Sequence, residues 1–228
     1  MDNDQILSSI KRSIIVSCQA RKGSPLRDSG IMAAMAKAAE AGGAKGIRAD
    51  GPEDIRSIKE RVSLPVIGIN KRRDLTDTVY ITPTLKSATK VIEAGAEILA
   101  MDGTPRNRPG DKNLREIIEV VKQETGILIM ADIATYKDGL YALEAGADIL
   151  ATTLSGYTEE TSSRSNGPDL ELVKKLAKEV EVPVIAEGRF RRPNQVTRAL
   201  ELGAHAVVIG TSITNPKVIT GRFVEATT

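Results

Sequence analysis

Four segments of this chain repeat nearly the same pattern. Glu40-Ala-Gly-Gly-Ala-Lys-Gly-Ile-Arg48, Glu93-Ala-Gly-Ala-Glu-Ile-Leu-Ala100, Glu144-Ala-Gly-Ala-Asp-Ile-Leu-Ala151 and Glu201-Leu-Gly-Ala-His-Ala-Val-Val208 begin at intervals of 53, 51 and 57 residues. Each reads as a helix end, a glycine stop and a short buried strand, because glycine enters the left-handed conformation past a helix end at little cost. A second set of apolar runs falls between them: Ser13–Ser17, Pro65–Ile69, Ile127–Ala131 and Pro183–Ala186. Four runs of each kind make eight strands. Eight alternating βα units close into a barrel whose active site lies at the C-terminal ends of the strands. The expected architecture is α/β, a single (βα)8 TIM barrel over residues 1–228.

The length fits one such barrel near the compact end of its range, and no Pro/Gly/Ser-rich linker divides the repeats. The 32 basic and 30 acidic residues leave a net charge of +2, so no global field is built for nucleic acid. Aromatic residues make up 3% and Trp is absent, which removes the stacking platform that single strands use. Cys18 has no second cysteine to pair with, and one cysteine plus His205 is too small a set for an ordinary zinc site. Met1-Asp-Asn-Asp-Gln is unlike a secretory signal, and no apolar run nears a membrane span. The expectation is a cytoplasmic protein with no metal, no membrane and no nucleic-acid partner.

Ile6, Leu7 and Ile10 have helical spacing within Asp4–Lys11, which suits either a lid under the barrel's N-terminal end or an ordinary surface helix. The first strand ends at Cys18, the second at Ile47-Arg48, the third at Ile69-Asn70 and the fourth at Met101-Asp102. The fifth ends at Asp132, the sixth at Thr152-Thr153, the seventh at Ala186-Glu187 and the eighth at Ile209-Gly210. Helices are expected over Ile31–Ala41, Asp54–Val62, Thr84–Ala94, Asn113–Glu124, Thr135–Ala145 and Asp169–Val180, then from Pro193 and after Pro216. The segment from Ser155 to Gly167, with Arg164, is either a mobile loop or a substrate lid.

Polar and ionisable residues gather where the strands end: Gln19, Arg48, Lys71, Asp102, Asp132, Thr153 and Glu187. Gly188-Arg189 after strand 7 and Gly210-Thr211-Ser212 after strand 8 occupy the loops that bind phosphate in many such barrels. Small residues there let backbone N–H groups approach an anion. Lys71 and Glu187 leave strands four apart in a ring of eight, so they face each other across the mouth. There they either bracket a small substrate for proton transfer at carbon or form plain ion pairs. Burial and the neighbouring cations Arg48, Arg72 and Arg73 favour a neutral, basic Lys71. Gln19, Arg48 and Asp132, with Thr153, form a polar cup suited to a sugar, unless Arg48 instead holds a carboxylate on the barrel's own rim. His205 sits at the opposite end of its strand, as a structural residue would. Cys18 lacks the histidine partner a nucleophile wants. The Arg106-Asn-Arg-Pro loop either covers the site or faces solvent.

These residues sit in strings that resemble the N-acetylmannosamine-6-phosphate 2-epimerase family. The strings are Val16-Ser-Cys-Gln-Ala20, Gly46-Ile-Arg-Ala49, Ile67-Gly-Ile-Asn-Lys-Arg72, Val79-Tyr-Ile-Thr-Pro-Thr84, Met130-Ala-Asp-Ile133, Ala151-Thr-Thr-Leu-Ser-Gly-Tyr-Thr158 and Pro183-Val-Ile-Ala-Glu-Gly-Arg189. The resemblance implies a phosphate-binding barrel and C2 epimerisation of an amino-sugar phosphate in amino-sugar (sialic acid) catabolism, with no cofactor. It implies Lys71 as catalytic lysine, Glu187 as its carboxylate partner, and Gln19, Arg48 and Asp132 on the sugar. One position departs: family members often carry arginine where this chain has Asn215, after Ile213-Thr214, so phosphate binding leans more on the backbone. Rival readings are another enzyme on the same barrel, of the indole-glycerol-phosphate or ribulose-phosphate type, and a binding protein without catalysis. For a homodimer, the Ala-rich Met32–Ala41 helix is a candidate contact, unless it packs on its own sheet.

Overall fold

The computed structural model describes residues 1–72, 79–163 and 166–227; the expectations for Arg73 and Arg164 lie outside the described residues. Eight parallel strands close in sequence order into a barrel. They are β1 (Ile14–Cys18), β2 (Gly46–Asp50), β3 (Val66–Ile69), β4 (Ile98–Asp102), β5 (Leu128–Asp132), β6 (Ile149–Ala151), β7 (Val184–Glu187) and β8 (Ala206–Ile209). A short helix, α1 (Asn3–Ile10), precedes β1. The outer ring is α2 (Ser29–Ala41), α3 (Pro52–Lys59), α4 (Leu85–Glu93), α5 (Leu114–Thr125), α6 (Tyr136–Glu144), α7 (Leu170–Glu179) and α8 (Pro193–Glu201). After β8 come a single turn, α9 (Thr211–Thr214), and α10 (Pro216–Val224). No helix among the described residues is long and apolar enough to cross a membrane.

The four repeated segments are the entries to the even-numbered strands. Their glycines, Gly43, Gly95, Gly146 and Gly203, have φ of +94°, +92°, +100° and +99°, where a side chain would strain the backbone. The alanine after each is buried. In two repeats the next residue is acidic and ties its strand to the previous one: Glu97 and Asp148 accept the N–H of Val66 and Ile129, both at 2.8 Å. The repeat is therefore a working joint, which stops a helix and sets strand register in one stroke.

The two-residue period of a strand sorts side chains between two cores. One face packs against the helices, as Val16, Ile47, Leu99, Ile129 and Leu150 do. The other fills the barrel with Ile15, Ile67, Ile69, Ile98, Ala100, Leu128, Met130, Ile149, Ile185 and Val208. Ile6 and Ile10 of α1 join that inner core, so α1 is the lid under the barrel. Each buried isoleucine contributes about 1.5–3 kcal/mol of transfer free energy. His205 Nε2 donates to the Leu7 carbonyl at 2.8 Å and fastens the lid. Its role is structural, at the end opposite the strand exits.

Among the boundaries that differ from expectation, three lie at or next to strand exits. β2 continues to Asp50, so Arg48 stands within the strand and not at its exit. α3 begins at Pro52, where proline's fixed φ suits a first helical position. β6 stops at Ala151, and Thr152–Leu154 turn into one 3₁₀ turn. There the Thr152 hydroxyl donates to the Glu187 carbonyl and accepts the Glu187 N–H, replacing ladder bonds. The Met32–Ala41 helix packs on its own barrel, burying Met32, Ala33 and Ala36.

Candidate active site

Continuing the inward parity of each strand past its apolar residues reaches Gln19, Arg48, Lys71, Asp102, Asp132, Thr153 and Glu187. Ile67 and Ile69 fill the barrel, so Lys71 follows on the same face. The same count leads from Leu128 and Met130 to Asp132, and from Ile185 to Glu187.

These residues separate into two groups. One is built on Arg48, whose guanidinium is only 1% exposed. Its Nη1 donates to Asp132 Oδ1 at 3.0 Å and to Thr153 Oγ1 at 3.2 Å, and its Nη2 to Asp132 Oδ2. Nη1 also donates to Glu187 Oε2. The Thr153 hydroxyl lies 2.6 Å from Asp132 Oδ1 and 3.1 Å from Glu187 Oε2. Burial opposes the Arg48 charge, but Asp132 and Glu187 outweigh it and hold the guanidinium above its ordinary range. Burial pushes the Glu187 carboxyl up, with Asp132 adding to the rise and Arg48 opposing it. Arg48 Nε is buried and has no hydrogen-bond partner among the described residues. Such a donor costs about 1–3 kcal/mol, a strain retained at the centre of the mouth.

The other group is built on Lys71. Its ammonium donates to Gln19 Oε1 at 2.6 Å, and its backbone N–H donates to Asp50 Oδ1 at 2.9 Å. Lys71 also forms an antiparallel bridge with Ile81. Lys71 and Glu187 do lie on opposite walls, yet the hydrogen-bond partners of the two sets differ. Arg48 is committed to two carboxylates and is no bare cation beside the lysine.

Beyond the mouth, Gly188, Arg189, Gly210, Thr211 and Ser212 form the adjoining loops after β7 and β8. Gly188 has φ +112°. Arg189 turns its guanidinium away: Nε donates to the Gly167 carbonyl at 2.6 Å, Nη1 to that of Ser155, and the group stacks 5.3 Å from the Tyr157 ring centroid. It ties Gly167 to Ser155. Ser212 Oγ donates to the Phe190 carbonyl at 2.7 Å, which joins the two loops. Asn215 caps α10 by accepting the Val218 N–H.

Two site neighbours, Asp50 and Tyr80, carry no signal that marks them in the sequence. Asp50 stood beyond the expected end of β2. At Tyr80, burial first and then the charges of Asp132 and Asp102 push the phenol up. Asp102 is fully buried, accepts Thr104 and Arg106 and is pushed up by burial. Arg108 donates to the Asp102 carbonyl, so the Arg106–Arg108 loop faces inward. Cys18, on the helix side of β1, is pushed up to about 12 by burial and Asp54, an inert thiol.

Residues 32–228 match the model of the NanE family, described as "Putative N-acetylmannosamine-6-phosphate epimerase". A protein of Caldanaerobacter subterraneus subsp. tengcongensis named "Putative N-acetylmannosamine-6-phosphate 2-epimerase" is 52% identical over 220 residues, covering 96% of this chain and 92% of that one. One from Cutibacterium acnes with the same name is 50% identical over 225 residues, 98% and 97% of the two chains. The solved structure of the N-acetylmannosamine-6-phosphate 2-epimerase from Clostridium perfringens superposes with a TM-score of 0.93 at 43% identity, covering 99% and 98%. A thiamine phosphate pyrophosphorylase from Pyrococcus furiosus shares the fold alone, with a TM-score of 0.60 at 17% identity over 92% and 91% of the chains.

Proposed function

This chain belongs to the N-acetylmannosamine-6-phosphate epimerase family, and from that premise we propose that it interconverts N-acetylmannosamine 6-phosphate and N-acetylglucosamine 6-phosphate in amino-sugar catabolism. The observation that carries the reading is a lysine and a carboxyl standing on opposite walls of one barrel mouth, each with its own set of partners.

C2 is not acidic in the closed pyranose. In the open chain it lies next to the C1 aldehyde, and losing its proton gives an enolate whose charge sits on O1. The Lys71 amine takes that proton and becomes an ammonium; the C–H pair moves into the C1–C2 double bond. The Lys71 ammonium returns the proton to the opposite face of C2 once the enolate has turned, which restores the aldehyde, inverts the centre and leaves the amine neutral for the next cycle. Glu187, its carboxyl pushed up by burial, assists ring opening or proton delivery. Asp132, Arg48 and Thr153 fix Glu187, while Gln19 orients the lysine. The backbone of Gly188, Arg189, Gly210, Thr211 and Ser212 receives the phosphate. No step needs an oxidant or a cofactor.

The test is proton NMR of the protein with N-acetylmannosamine 6-phosphate in deuterated water. Formation of N-acetylglucosamine 6-phosphate with deuterium at C2 is expected. No conversion while the protein still binds the sugar phosphate overturns the reading in favour of another substrate or a binding role.

The phosphate confines such a substrate to the side of the membrane on which it is made, and we place the protein in the cytoplasm. We also propose a homodimer, joined through α10. Its support is that α10 buries none of its own residues and exposes Val218, Phe223 and Val224, with Phe223 73% exposed. Sedimentation velocity of Phe223→Glu against the parent tests it: a shift from dimer to monomer is expected.

A further inference from the structure

Ser17 has no place in the chemistry above, yet it lies between two parts of the site. It occupies the inward face of β1, two residues beyond Ile15 of the inner core and paired in register with Arg48. It is 8% exposed, a polar side chain where a barrel strand would ordinarily place an apolar one. Gln19 Nε2 donates to Ser17 Oγ at 2.9 Å, and Gln19 Oε1 accepts Lys71 Nζ at 2.6 Å. On its other side Ser17 meets the loop after β8. A side chain at Gly210 would come within 3.3 Å of Ser17 Cβ, and Thr214 Oγ1 donates to the Ser17 carbonyl at 2.8 Å.

The chemistry of these groups gives the arrangement one sense. Once Lys71 has taken the proton its ammonium only donates, so Gln19 must show it the carbonyl oxygen. The amide is planar, so its NH2 then points the other way and needs an acceptor. Ser17 Oγ is that acceptor. Without it the amide is free to rotate by half a turn, and its NH2 then faces the ammonium, donor against donor.

Resting on the epimerase reading, we propose that Ser17 is a positioning residue: it sets the orientation of the Gln19 amide, and through it the place of the Lys71 ammonium, from a strand end braced by the β8–α9 loop. Ser17 touches neither the reacting carbon nor its proton. It acts only through Gln19, which makes the proposal testable by a double-mutant cycle.

Steady-state epimerisation is measured for the parent, Ser17→Ala, Gln19→Ala and the double variant, with thermal melting of each. Ser17→Ala is expected to lower kcat about tenfold, since small misplacements of a reacting group cost rates of that order, with KM changed less than about twofold. In the Gln19→Ala background the same substitution is expected to lower kcat no further. Gln19→Glu is the orientation control: both carboxylate oxygens accept, so, whatever kcat that variant itself has beside the lysine, adding Ser17→Ala is expected to lower it no further. Ser17→Cys keeps the volume with a weak acceptor and replaces Ser17→Ala if that variant melts early. A parent-like kcat in Ser17→Ala, or a loss equally large on the Gln19→Ala background, overturns the proposal. Failure of the parent to epimerise would instead sink the function itself.

Discussion

The two halves of the barrel mouth solve opposite problems. On the Glu187 side, one buried guanidinium holds two carboxylates and a threonine hydroxyl in a closed set of bonds. On the Lys71 side, a half-buried ammonium rests on a neutral amide. The ionic half is fixed because breaking it strands a buried charge, which is costly in a medium of low effective dielectric. The lysine half has more reach, because its ammonium sits at the end of a flexible four-carbon stem with rotatable donors. A proton-transfer site needs both. The group that moves the proton has to exchange it, while the opposite wall keeps its geometry through the cycle.

Removing either half should therefore fail in a different way. Lys71→Ala is expected to lower kcat by about 10²–10⁴, the usual contribution of a general base, while binding of the sugar phosphate by calorimetry stays within about threefold. Substantial turnover in that variant would reassign the base. Arg48→Met is expected to cost about 3–5 kcal/mol of stability, read from urea denaturation, because Asp132 and Glu187 would lose their shared cation. If the variant is as stable as the parent, the ionic half is not the rigid one.

The pH dependence sharpens the contrast. Glu187 has its folded value raised, by burial first. Between its ordinary unfolded value of about 4.3 and the raised folded one, the folded state binds more protons than the unfolded state. Its contribution to stability is thus present below about 4.3 and is lost as pH rises through that window. Glu187→Gln should flatten that part of the stability curve relative to the parent, a difference that also cancels the similarly raised Asp54 and Asp102. An unchanged slope would mean that the arginine governs the group after all. The smallest effect is expected at the rim. Arg189→Ala releases the carbonyls of Ser155 and Gly167 and should raise KM about fivefold with kcat nearly kept, in line with two charge-assisted hydrogen bonds of modest net worth.

Much of this was legible in the chain because the signals are local. A left-handed glycine after a helix is a property of one residue's backbone, so four repeats announced four joints and with them an eight-stranded barrel. Period-two alternation is local as well, and it brings Lys71, Asp132 and Glu187 to the inner face. The roles of the polar residues were less legible. Arg48 was expected at a strand exit, either in a sugar cup or on a carboxylate of the rim; it stands inside β2, closed onto the carboxylates of Asp132 and Glu187. Arg189, expected at the phosphate, turns its guanidinium to the neighbouring loop. Tyr80 and Ser17 were overlooked because nothing local distinguishes a strand serine or a loop tyrosine from any other.

The sequence by itself determined the number of strands, their order, which side chains face inward and the family to which the chain belongs, since each is written in spacing and short strings. Only the tertiary structure decided who partners whom. Arg48 and Glu187 are 139 residues apart and Lys71 and Gln19 are 52 apart. Closure of the barrel brings them within a hydrogen bond, and burial then makes each choice of partner matter.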